Sequence, residues 1–169
     1  AFVSAISTTQ IASMQTAEIA ALSTDVIAAL SSAQVKQLSS AQLVALTTDQ
    51  ASVLSTSALS ALSASQLASI ETADLAQIST ANIQRLSTSA LAGLTSSQVV
   101  SLSSSTLNAL TSSQVAALSS AALSAISTEQ ASALSTAFVS AISTKQIASL
   151  QTAVIAALST DAIAALSSA

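Results

Sequence analysis

From Ile6 to Leu166 every eighth residue is Leu, Ile or Met, twenty-one positions without interruption. Taking Leu38-Ser39-Ser40-Ala41-Gln42-Leu43-Val44-Ala45 as the type unit, position 1 is the large apolar residue, and position 2 is usually Ser or Thr. Position 3 is Ser or Thr everywhere except Ala64, and position 5 favours Gln. Position 6 is Ile, Val or Leu in all but two units, which carry Ala51 and Ala131. Positions 4, 7 and 8 are mostly Ala or Ser, so the unit reads L-[ST]-[ST]-x-Q-[ILV]-x-A. An unslipped octad predicts a one-dimensional array of one small structural unit.

Three regular structures can carry this spacing. In a continuous α-helix an eight-residue step turns about 800°, roughly 80° past two full turns, so the apolar stripe would circle the helix within about five octads. In a β-strand, positions 1 and 6 have opposite parity and face opposite sides. The corners of a β-solenoid also favour Gly, Asn or Asp, where this chain has only Gly93, Asn82 and Asn108 besides a few acids. A β-solenoid stays as the alternative, because Ser, Thr, Val and Ile tolerate strands.

The third structure is a helix that restarts in every unit. Ser at position 2 and Gln three residues later form a capping box, and the large residues at positions 1 and 6 fall where a hydrophobic staple needs them. The expectation is an all-α solenoid of short capped helices, each about six residues long and one per octad. Charge placement agrees, since acids belong in the first turn of a helix and bases in the last. Asp25, Asp49, Glu129 and Asp161 stand at position 4, and Glu18 and Asp74 at position 5. Lys36 and Arg85 lie near the C-terminal end of their units, with Lys145 at position 4 as a counterexample. Gln15, Glu71 and Gln151 replace the cap hydroxyl, and there Thr16, Thr72 and Thr152 are expected to cap instead.

Helices this short are not stable alone in water, where even about 12 residues are marginal. Stability must come from stacking octads, so that positions 1 and 6 form a continuous core inside a thin rod with a Ser/Thr/Gln surface. At Ala51 and Ala131 the rod is expected to narrow, bend or be filled by adjacent turns. A longer pattern overlies the octads: residues 1–33 recur as 137–169 with four substitutions, Thr9 to Lys145, Met14 to Leu150, Glu18 to Val154 and Val26 to Ala162. That offset is seventeen octads, and the segment near Thr48 recurs near Thr128 at ten. Duplication in whole octads preserves stacking phase. Residues 1–169 therefore read as one continuous array, and the absence of an initiator Met or a polar closing unit marks it as a segment of a longer repeat protein.

Composition narrows the chemistry. With no His, Cys, Tyr or Trp, and with Lys36, Arg85 and Lys145 as the only basic side chains, no catalytic, cofactor-binding or metal-binding residue is assigned and no enzyme activity is expected. The Ser and Thr hydroxyls lack a base to activate them. Met14, the only usual axial haem ligand present, occupies a core position. A net charge of −4 with scattered bases offers no footprint for nucleic acid. Mean hydropathy is +0.72, yet polar pairs interrupt every octad, so no membrane-spanning segment is expected.

The octads, as in Leu110-Thr111-Ser112-Ser113-Gln114-Val115-Ala116-Ala117, resemble the runs of L-[ST]-T-A-Q-[IV]-x-A in very large surface or secreted proteins of Gram-negative bacteria, often labelled adhesin-like or haem-utilisation proteins. The resemblance implies an extracellular or cell-surface stalk, fibre or matrix component. The expected partners are copies of the chain itself, joined end to end or side by side. The alternative is a surface-binding module, in which rows of Ser and Thr contact ice, glycan or mineral.

Overall fold

A computed structural model describes residues 6–166; the expectations placed on the outermost residues, Ala1 and Ala169, lie outside it. Among the described residues there are twenty α-helices, from Thr8–Ser13 to Thr160–Leu166, and no strand. The β-solenoid is thereby excluded for this region. Each helix spans four to seven residues and starts at position 3 of its octad.

The cap residue at position 2 causes each break. Ser39 is extended at φ −72° and ψ 160°, and its Oγ accepts the Gln42 N–H at 3.2 Å. Ser7, Thr47, Ser63, Thr95 and Thr111 cap their helices in the same way. Helix exit takes two forms: Leu38, at φ −64° and ψ 129°, leaves the helical region in one step, whereas Ala45, at φ −78° and ψ −7°, stays near it for one more residue. Among the described residues none has positive φ, so no unit requires the glycine that commonly ends a helix. This explains how twenty helix ends coexist with a single Gly and no Pro.

At three octads the expectation about caps needs correction. Helices begin at Thr16, Thr72 and Thr152, and the N-cap remains at Gln15, Glu71 and Gln151. The backbone geometry holds the boundary there; Gln15 keeps half a capping box, its N–H donating to Glu18 Oε2 at 2.7 Å.

Helices stack at a spacing of three octads: Thr8–Ser13 packs on Ser32–Gln37, which packs on Thr56–Ala61. Side-chain to backbone hydrogen bonds recur at separations of 25, 28 and 31 residues, which sets one superhelical turn at about three and a half octads. The core runs the length of the solenoid, built on position 6 (Ile11, Leu67 and Val115, each 0% exposed) and on position 1 (Leu38, Leu86 and Leu118, each 3%). Ala51 and Ala131 are also buried, at 4% and 0% exposed. In the Ala51 unit, Val53 stands at position 8, where Ala is usual, and packs against the core.

The solenoid has a direction. In the first turn Ile11, Ile19 and Ile27 at position 6 are fully buried, while Gln10 and Glu18 at position 5 are exposed. In the last turn the order reverses: Val154 and Ala162 at position 5 are buried, while Ile155 is half-buried and Ile163 exposed at position 6. Position 5 therefore faces the preceding turn and position 6 the following one.

Candidate functional site

Burial of position 5 corrects the expected Ser/Thr/Gln surface. Gln34, Gln42, Gln50, Gln66, Gln98, Gln114, Gln130 and Gln146 are all buried, between 2% and 6% exposed. Each does two jobs. The Oε1 of Gln98 accepts the Thr95 N–H at 3.0 Å, which completes the capping box of its own helix. Its Nε2 donates to Leu67 O and Ile70 O, both at 2.8 Å, in the preceding turn.

The same pair of acceptors recurs along the array. Gln42 donates to Ile11 O at 2.9 Å and Met14 O at 2.8 Å, Gln66 to Val35 O and Leu38 O at 2.9 Å, and Gln114 to Ile83 O at 3.1 Å and Leu86 O at 2.9 Å. Gln130 and Gln146 reach a third carbonyl, at Val100 and Ala116, both at 3.3 Å. These acceptors lie at helix C-termini: the position-6 carbonyl already accepts the N–H of the next position-1 residue, as Leu67 O does from Ile70 at 3.2 Å, and the glutamine adds a second donor there and bonds the position-1 carbonyl as well. One amide thus closes the start of one helix and the end of another.

Smaller ties lie on the outside. Ser32 Oγ donates to Ser57 O at 2.8 Å and Ser96 Oγ to Ala121 O at 3.0 Å. Asn108 mimics a backbone unit: its Nδ2 donates to Ala133 O at 2.8 Å and its Oδ1 accepts the Ser135 N–H at 2.7 Å. Lys36, Arg85 and Lys145 are exposed and stand in separate octads. Asp74 is a buried acid, 3% exposed, in a position-5 place otherwise suited to Gln.

The structure offers amide donors, backbone carbonyls and hydroxyls engaged as caps. Among the described residues no three acidic side chains gather to hold a metal ion. Two open hollows lie on the surface: one of about 310 Å³ beside Ile142, Thr144, Ile147 and Leu166, the other of about 510 Å³ beside Val100, Leu102, Ser127 and Glu129. Val100, 53% exposed, is the apolar side chain that stands out at the second.

The repeated glutamine between a hydroxyl cap and a buried aliphatic is also the feature that family comparison detects, with residues 27–56 and 67–104 matching the model of the ALTTAQ repeat. These two stretches are similar to ALTTAQ repeats. Gln34, Gln42, Gln50 and Gln98 fall within the matched stretches, and the octad register carries the same pattern beyond them to Gln114, Gln130 and Gln146. No curated protein and no solved structure was found that matches the chain. In these octads, then, the Gln joins turn to turn, the large residue before the hydroxyl pair fills the core, and the hydroxyl directly after that residue restarts the helix.

Sequence reasoning placed the core at positions 1 and 6 and the hydroxyl caps, but misplaced the caps at Gln15, Glu71 and Gln151 and missed both the burial of position 5 and the second job of Gln. A signal for it was present. A capping box accepts Glu as readily as Gln, yet position 5 holds Gln nine times and Glu once, at Glu18. A role confined to the local box does not explain that bias; donation to carbonyls does.

Proposed function

We propose that this octad array is a structural element, the rod of an extracellular filament, matrix fibre or adhesin stalk that self-associates, with no catalytic role. The observation that carries this reading is the repeating glutamine connection between turns, running from Gln34 to Gln146. The same bond recurs from Gln34 to Gln66 and again from Gln98 to Gln146, so length can be added in whole octads that keep the same kind of contact. That suits a spacer whose useful property is reach.

Sparse charge and the absence of Cys are compatible with a secreted setting, and the resemblance to large bacterial surface proteins points to the same compartment. The haem label attached to some of those proteins gains no support from this chain, which has no His. Electron microscopy of the purified chain over a range of concentrations tests the proposal. Uniform rods that join into fibres are expected. A compact monomer at every concentration, or one that binds ice or glycan without assembling, would overturn it and favour the Ser/Thr rows as a binding surface.

A further inference from the structure

We propose that Asp74 marks a calcium site between two turns, where its carboxylate and the carbonyl oxygens of Leu43 and Leu46 bind one ion in place of a glutamine rung.

The register brings these groups together. Gln66 donates to Val35 O and Leu38 O, and Gln98 to Leu67 O and Ile70 O, in each case 31 and 28 residues back. Asp74 stands at the same position 5, is 3% exposed and faces the preceding turn as they do, so its counterparts are Leu43 O and Leu46 O. Leu43 O accepts the Leu46 N–H at 3.2 Å, and Leu46 O receives no donor among the described residues.

A carboxylate has no proton to give these oxygens. Asp74 does not turn back to its own helix either: no capping box forms there, and among the described residues its side chain has no hydrogen bond and no ion pair. A buried, unpartnered carboxylate set against carbonyl oxygens is costly by itself, and a cation removes the cost. The surroundings carry the same sign. Glu71 adds a negative charge three residues earlier, and Asp49 lies on Thr48–Ser52, the helix that packs against Thr72–Ala76.

The donor set selects the ion. Oxygen ligands without nitrogen or sulfur suit Ca²⁺, which takes about six to eight oxygens at about 2.3–2.6 Å and fills its remaining places with water. Asp is shorter than Gln by one methylene, about 1.5 Å, so its head group stops short of the carbonyls and leaves room for an ion between them. The small remaining exposure of Asp74 opens that gap to solvent. A bound ion then ties the two turns as Gln98 ties its own pair.

Calorimetric titration with CaCl₂, and thermal melts in CaCl₂ or EGTA, test the site on wild type, Asp74→Asn and Asp74→Gln. Wild type should bind one Ca²⁺ per chain with Kd on the order of 10⁻⁴–10⁻³ M, and should melt a few degrees higher at about ten times that concentration. Asp74→Asn should lose both the binding and the shift. Asp74→Gln should lose them too, yet melt above wild type in EGTA, because its amide donates to both carbonyls directly. Absence of calcium binding by wild type, or an equal calcium shift in all three proteins, would overturn the proposal. So would an Asp74→Gln chain that melts below wild type in EGTA, since the side chain at position 74 would then not face the carbonyls.

Discussion

Gly93, the only glycine, lies directly against the backbone of Ala64, the only residue at position 3 that is neither Ser nor Thr. A Cβ on Gly93 would stand 2.2 Å from the Ala64 carbonyl oxygen. Neither exception arises from the other's octad; they meet because they are 29 residues apart, one turn of the solenoid. The glycine is needed for close approach, and no unusual backbone angle is involved.

Gly93→Ala should therefore cost at least 1–3 kcal/mol, the range for forcing extra volume into a packed site. Chemical denaturation compares it with Ala92→Gly, whose parent side chain is exposed. A loss no larger than that of the Ala92 variant would mean that the two turns separate without penalty.

Core and cap should differ in weight. Leu86 is 3% exposed, so Leu86→Asp buries a carboxylate among aliphatic side chains and is expected to unfold the turns around it. Ser87→Ala removes one cap, the 3.1 Å bond from the Ala90 N–H to Ser87 Oγ, at a cost of about 0.5–2 kcal/mol. Thermal melts followed at 222 nm separate the two. Equal losses would contradict burial of position 1.

Octads without Gln leave a rung out of the ladder. Ala58 occupies position 5, and by register it faces Ile27 O and Leu30 O, in the segment Ile27-Ala28-Ala29-Leu30. That segment closely matches Val115-Ala116-Ala117-Leu118, which receives Gln146. Ala58→Gln should stabilise the chain by about 1–2 kcal/mol, through two added hydrogen bonds. Destabilisation instead would mean that the backbone has closed over the missing side chain.

Much of the fold was legible along the chain because its causes are local. The Ser39–Gln42 box, the Leu38 and Leu43 pair and the helix restart between them all lie within one octad. The number of octads per turn was not legible. It depends on how far each extended link, such as Leu38-Ser39, rotates the next helix. Near-identical octads also give no clue to which one Gln66 will meet. Charge placement spoke for Glu18, Asp25 and Asp74 as first-turn acids but was silent on the burial of Asp74, which follows only from the turn before it.

The interturn role of glutamine is tested most directly by comparing Gln98→Glu with Gln10→Glu in urea denaturation, at concentrations where the chain is monomeric. Glu preserves the capping box in both octads, as Glu18 does with the Gln15 N–H. Only at position 98 does it replace an amide that donates to two carbonyls, Leu67 O and Ile70 O. Gln98→Glu should lose about 2–4 kcal/mol, from two missing hydrogen bonds and a buried charge, with Gln10→Glu within about 0.5 kcal/mol of wild type. Equal and small effects at the two positions would contradict a solenoid held together by its glutamines.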